Sequence, residues 1–194
     1  MVEVRRLSRE EAQDAFDDLA RLRIEVFRDF PYLYAGDFAY ERRYLATLLA
    51  SPGAVVIGAL DGGRLVGAAT ASPLSDHFDE FAAPFVAAGL DPAEFFYFGE
   101  SVLKAEYRGR GVGVRFFEER ERAAREAGFP RCVFSAVVRP ADHPLRPAGY
   151  VPLDAFWMKR GYACIDGLAT GFSWRDVGEA EETVKPMEFW QKRL

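Results

Sequence analysis

The chain has 194 residues, 49% of them apolar, and a formal net charge of −5. That length allows one domain with a sizeable core, while the acidic balance gives no general pull toward nucleic acid and no apolar run is long enough to span a bilayer. Two histidines, His77 and His143, are too few and too far apart to suggest a metal site, so no metal is expected. The chain opens without a basic-then-apolar leader, and Cys132 and Cys164 lie in apolar, strand-like contexts suited to buried thiols; both features predict a cytoplasmic protein with no membrane partner.

Val2 to Leu7 reads as a first strand. Ser8, with Glu11 three residues on, forms a capping box that opens a helix through about Phe27, and Ala12, Phe16, Leu19, Leu22, Val26 and Phe27 recur at helical spacing. Asp29 to Gly36 interrupts it, and Asp37 to Ala50 reads as helix again. Ala54 to Leu60, the turn Asp61-Gly62-Gly63-Arg64 and Leu65 to Ala71 form a hairpin. Residues 72–94 are a long connection with a short helix near Phe78 to Ala88. The apolar run Phe95 to Leu103 predicts a fourth strand, followed by Tyr107-Arg108-Gly109-Arg110-Gly111-Val112-Gly113 and an amphipathic helix ending at Ala127-Gly128. A fifth strand at Arg131 to Val138, a proline-rich loop from Arg139 to Pro152, a short helix over Leu153 to Arg160, and strands near Tyr162 to Ile165 and Thr170 to Trp174 complete the series. Arg175 to Thr183 reads as a solvated polar stretch.

The glycine turn is the most informative segment. Glycines at alternate positions let the backbone approach a ligand closely, and the following helix start adds its positive dipole end, which suits a phosphate or pyrophosphate. A Walker loop needs Lys-Ser or Lys-Thr where this chain has Val114-Arg115. A dinucleotide fingerprint needs G-x-G-x-x-G and a later acidic residue, and residues 131–138 hold none. Arg108-x-x-Gly111-x-Gly113 instead resembles the acyl-CoA motif of the GNAT N-acetyltransferase superfamily, and Ala155-Phe156-Trp157-Met158-Lys159-Arg160-Gly161-Tyr162 resembles that family's late signature A-x-F-Y-x-K-x-G-F. The order of elements is similar too. The resemblance implies a single-domain α/β (α+β) fold over residues 1–194, with a mixed, mainly antiparallel sheet of about seven strands splayed at the fourth and fifth and flanked by helices.

The chemistry implied is direct transfer of an acetyl group from acetyl-CoA to a primary amine. Pyrophosphate holding falls to Arg108, Gly109, Arg110, Gly111, Val112 and Gly113, largely through backbone N–H groups, with the pantetheine arm paired along Val102 and Leu103 as an added strand would be. Glu100 stands in a stretch apolar on both faces, where a carboxylate needs a partner or a cleft and where burial favours its protonated form. Members of the family often carry a catalytic glutamate on this strand, so Glu100 is the candidate general base; the competing expectation is an acid that bonds a bulge at Gly99-Glu100-Ser101 or pairs with an arginine. Trp157 occupies the position of the family's thiolate-protonating tyrosine. Indole is no practical acid, so either Tyr150, then Tyr162, replaces it or the thiolate leaves unprotonated, with Trp157 as packing against the cofactor.

For the acceptor, Tyr32 in Phe30-Pro31-Tyr32-Leu33-Tyr34 offers an aromatic wall, while Arg139, His143 and Arg146, if they converge, suit a carboxylate or phosphate on a small-molecule amine. Ordinary loop packing and solvated charges are the competing expectations. A protein amine as acceptor, or a non-catalytic acyl-CoA-binding module that has lost the tyrosine, are the alternatives. The apolar segment Val184 to Trp190 is expected to dock on the body or on a second copy, which keeps a homodimer open.

Overall fold

The computed structural model describes residues 2–77 and 79–194, so Phe78, the expected start of the short helix, lies outside the described residues. Strands β1 (Glu3–Arg6), β2 (Val55–Asp61), β3 (Arg64–Pro73), β4 (Phe95–Leu103), β5 (Arg131–Val137), β6 (Ala163–Arg175) and β7 (Glu182–Arg193) form one sheet in the order β1-β2-β3-β4-β5-β7-β6. Every neighbouring pair is antiparallel except β4 and β5. Their parallel ladder is short, joining Phe95, Phe96 and Tyr97 to Arg131, Cys132 and Val133, so the rest of β4 and β5 splays apart as expected.

Helices cover both faces. On one, α5 (Val112–Glu126) packs Val112, Phe116 and Phe117 on Ile57, Phe96, Phe98 and Phe134. On the other, α1 (Arg9–Asp14), α2 (Phe16–Phe27) and α3 (Phe38–Ala50) bury Leu19, Leu22, Leu45 and Leu48 against Val56, Ala68 and Val102. The Ser8–Glu11 capping box is present, but the helix it opens is broken at Ala15, whose ψ of 4° divides α1 from α2. Helix α4 (Asp79–Ala87) covers the far end of the sheet through Phe81 and Phe85, and the short helix α6 (Asp154–Met158) follows the proline-rich loop.

A bulge in β4 positions the chemistry. Ala69 pairs with Ser101 and Ala71 with Phe98, so Thr70 alone stands opposite Gly99 and Glu100. Strand side chains alternate faces, and one extra residue reverses the alternation beyond it. Phe96 and Phe98 therefore face α5, while Val102 joins the α2–α3 layer. Glu100 is carried to that same layer.

The C-terminal third departs from the sequence reading. The two short late strands are one strand, β6, irregular between Cys164 and Ala169, where Gly167 turns through φ 71°. Val184 to Trp190 belongs to β7, which inserts between β5 and β6 and so docks on the body of its own chain. Asp176 is not solvated: it is 9% exposed and holds Arg139 and Lys185. Cys132 is buried as expected, whereas Cys164 is exposed because its end of β6 lies at the sheet edge. Among the described residues no helix is long and apolar enough to cross a membrane and no cluster of ligands could hold a metal ion.

His77 packs its ring 4.5 Å from Tyr97 and 5.2 Å from Phe81, and burial pushes its pKa down to about 4, against a partial opposing pull from Glu100. A histidine held neutral in the fold loses stability as pH falls from its unfolded value near 6.5 toward 4, because only the unfolded chain takes up the proton over that window. Urea unfolding at pH 7 and at pH 4.5 should show wild type losing about 2–3 kcal/mol more than His77→Gln. An equal loss in both proteins would contradict the burial of this ring.

Candidate active site

Where β4 and β5 part, a cleft of about 880 Å³ runs from the start of α5 to α6. Gly109, Gly111 and Gly113 line it. Gly109 and Gly111 have φ of 74° and 79°, left-handed values that glycine adopts without strain. Gly111 is the N-cap of α5 and no side chain caps that end, so the first N–H groups of the helix are left for a ligand. A Cβ placed on Gly109 or Gly111 would meet nothing within 4 Å. The backbone here borders open space, as a pyrophosphate cradle requires. Arg108, Arg146, Lys159 and Arg160 add positive charge around the same cleft.

The other expected cofactor residues divide by geometry. Leu103 lines the cleft and its carbonyl accepts from Arg108 Nε at 3.3 Å. Val102 is buried in the α2–α3 layer and Val112 in the α5 layer, so any part they play is through the main chain. Arg110 holds its guanidinium 5.5 Å from the Tyr107 ring rather than along the cleft wall.

Glu100 lies at the inner end of the cleft, 5% exposed. Its Oε2 is 2.7 Å from Nη1 of Arg23 on α2 and accepts from the Tyr44 hydroxyl at 3.3 Å. Nε of Arg23 bonds Oε2 of Glu41 on α3, which makes a buried Glu41–Arg23–Glu100 triad. Burial opposes the Arg23 charge, but the Glu100 and Glu41 carboxylates outweigh it and hold the guanidinium above its ordinary pKa. Of the competing expectations for Glu100 the arginine partner is present; the bulge is there too, but the carboxylate bonds Arg23 and Tyr44 rather than the bulge. Even so, Oε1 of Glu100 is buried without a hydrogen-bond partner among the described residues. On the opposite side of the bulge, Arg120 bonds the carbonyls of Thr70 and Glu100 and the Ser101 hydroxyl, fixing its shape.

The model of the acetyltransferase (GNAT) family matches residues 16–150, more than half of the chain. The chain belongs to the GNAT acetyltransferase family. No curated protein matches its sequence. Among solved structures, it is similar to a ribosomal-protein-alanine N-acetyltransferase from Brucella melitensis, with 16% identity, TM-score 0.64 and 99% of each chain covered. It is also similar to the PaiA N-acetyltransferase from Thermoplasma acidophilum, solved in complex with coenzyme A, with 14% identity, TM-score 0.59, and 100% of this chain and 99% of that one covered. A GNAT acetyltransferase from Streptococcus pneumoniae aligns over the full length of both chains at 14% identity and TM-score 0.59. At these identities the likeness concerns the fold, the seven-stranded GNAT sheet described above.

In this GNAT chain Trp157 packs its indole 5.0 Å from Phe134 and 5.1 Å from Trp190 while bordering the cleft. Tyr150 also borders it, edge-on to Phe30 at 4.7 Å, and burial raises its phenol pKa although Arg146, 5.0 Å from the ring, pulls the other way. Tyr162 is elsewhere: it is buried in the α5 layer, and its hydroxyl donates to Glu121 at 3.1 Å. It does not border the cleft.

Arg139, His143 and Arg146 do not converge. Arg139 donates to both Asp176 carboxylate oxygens at 2.8 and 2.9 Å and to the carbonyls of Pro31 and Tyr32, each at 2.8 Å. That guanidinium ties the loop before α3 to the end of β6. His143 accepts from the Leu145 N–H at 3.2 Å and lies 5.7 Å from Phe30, off the cleft wall. Arg139 and Arg146 both border the cleft, but the Arg139 charge is taken up by Asp176, and Tyr32 walls the cleft. Sequence reasoning overlooked Arg23 and Glu41, although a signal existed. Arg23 follows Leu19 by four positions on the apolar stripe of α2, and Glu41 stands between Phe38 and Leu45 on that of α3.

Proposed function

We propose that this GNAT protein is an acetyl-CoA-dependent N-acetyltransferase of the cytoplasm, one domain over its 194 residues, that acetylates a primary amine of a small molecule. The observation that supports this best is the position of Glu100, whose partnerless oxygen lies where the CoA-sized cleft meets a ring-lined inner pocket. The cleft fits acetyl-CoA by its open glycine cradle, its uncapped helix start and its basic rim.

When bound there, acetyl-CoA supplies a thioester carbonyl open to attack by an amine, with the CoA thiol as leaving group. Gly109, Gly111, Gly113 and the first turn of α5 hold the pyrophosphate, with Arg108, Lys159 and Arg160 adding charge. The free edge of β4 at Leu103 offers main-chain groups to the pantetheine arm. Glu100 takes the ammonium proton at Oε1; the Oε2 contacts with Arg23 and Tyr44 keep the carboxylate oriented, and the transfer leaves Arg23 and Glu41 as a neutral pair. Tyr150, protonated at neutral pH like any phenol, has the hydrogen that a departing thiolate needs, although burial, by raising its pKa, makes it a weaker donor. Trp157 shapes the wall without sharing in proton transfer.

A preference for acceptors bearing a carboxylate or phosphate loses support once Arg139 is committed to Asp176, since Arg146 remains as a lone candidate. Substitution tests the base. Glu100→Gln keeps the size of the side chain, so turnover should fall by about 10² to 10⁴, the usual worth of a positioned base, with the KM for acetyl-CoA unchanged. Turnover within twofold of wild type would make Glu100 a structural residue.

A further inference from the structure

Behind Glu100 the splayed sheet and the α2–α3 layer enclose a second cavity of about 90 Å³. It shares Phe27, Tyr32, Gly99, Glu100 and Ser135 with the cleft, so the two spaces meet at the β4 bulge. Aromatic rings dominate its wall, among them Tyr34, Tyr40, Tyr44, Phe172 and Trp174.

The triad gives this cavity an unusual charge. One guanidinium faces two carboxylates, so Arg23, Glu41 and Glu100 together carry a formal charge of −1. Glu41 is fully buried and Glu100 nearly so. Both line the cavity, and Oε1 of each has no hydrogen-bond partner among the described residues. The surrounding phenols stay protonated, so they neither add to that charge nor cancel it. Burial pushes Tyr32 up to about 12 and, with the Glu41 carboxylate adding to the effect, raises Tyr34 too; Tyr44 and Tyr97 are raised by burial first, with Glu100 adding to it. A buried, partly unpaired negative charge is unfavourable unless something completes it. A cation does so twice over, by hydrogen bonds to the bare carboxylate oxygens and by lying against ring faces that attract positive charge.

We infer that this cavity is a pocket for a compact organic cation, and that the acceptor of the reaction is the protonated amine of a molecule with no anionic group. The second clause rests on the transferase reading; the first does not. The volume limits the occupant to a slim ammonium-bearing chain. A carboxylate or phosphate on the acceptor would meet two bare carboxylate oxygens inside the pocket.

Calorimetric titration of the full chain with n-butylammonium, n-butanol and butyrate tests the charge preference without requiring turnover. Butylammonium should bind at least about tenfold tighter than butanol, and butyrate should show no saturable binding. Glu41→Gln, which removes the formal excess, should weaken butylammonium binding by about tenfold or more. Butanol binding as tightly as butylammonium, saturable butyrate binding, no saturation with butylammonium, or a folded Glu41→Gln protein with wild-type affinity would each overturn the inference. Should the glutamine variant fail to fold, the comparison of three ligands on wild type still decides. A protein that binds butylammonium but acetylates no amine would retire the transferase reading and leave the pocket standing. Acetylation confined to anionic amines would overturn the acceptor clause and leave the transferase reading standing.

Discussion

Replacing Gly111 with aspartate should weaken acetyl-CoA binding by about 100-fold or more while leaving the fold nearly as stable as before. The position has φ 79°, a left-handed conformation that aspartate tolerates better than most residues, and a Cβ there meets nothing within 4 Å. The penalty to the fold is therefore about 1 kcal/mol. The penalty to the ligand is larger. A carboxylate about 5 Å from a pyrophosphate charge costs about 3 kcal/mol at an effective dielectric near 20, which is about a hundredfold in affinity. Gly111→Ala introduces the Cβ and the backbone strain without the charge and should lose much less. Calorimetric titration with acetyl-CoA, beside thermal unfolding of each variant, separates the two effects. Unchanged affinity in the aspartate variant would mean that the turn does not hold the cofactor.

Arg23→Met should produce the largest loss of stability of any single change in the site. Arg23 is 6% exposed and is the counter-ion of both Glu41 and Glu100. Methionine fills much of the same volume, so packing is largely retained while two buried carboxylates lose their partner. Breaking a buried pair in this way costs about 3–5 kcal/mol, which for a domain of this size lowers the unfolding midpoint by about 10 °C. Adding Glu41→Gln and Glu100→Gln to Arg23→Met should return part of the loss, because the uncompensated charges then disappear. Urea unfolding of the single and triple variants measures both changes. A single-variant loss below about 1 kcal/mol would contradict the buried triad.

Much of the site could be read in the sequence because local features carried it. The capping box at Ser8 and Glu11, the Asp61–Arg64 turn, the apolar β4 run and the glycines at 109, 111 and 113 all act within a few residues of themselves, and each stands where the sequence placed it. The parts that could not be read depend on partners far along the chain. The bulge at Gly99 and Glu100 arises from pairing with β3, so nothing within β4 alone says to which face Glu100 turns. Arg139 looks like a binding residue on a rigid loop until Asp176, 37 positions later, is seen to claim it. Asp176 reads as a solvated charge because the polar letters around it hide a hairpin whose second strand enters the middle of the sheet and brings Lys185 to it. Arg23 and Glu41 were visible as charges on apolar helical stripes, but a stripe gives only the face and not the partner across it.

The most direct test of the account is to mix purified protein with acetyl-CoA and n-butylamine and follow thiol release together with the mass of the amine. One thiol should be freed for each N-acetylbutylamine formed, at a rate that falls with Gly111→Asp and with Glu100→Gln. Acetyl-CoA bound tightly, with neither thiol nor acetylated product from butylamine or from amines bearing carboxylates, would contradict it and leave an acyl-CoA-binding module in place of a transferase.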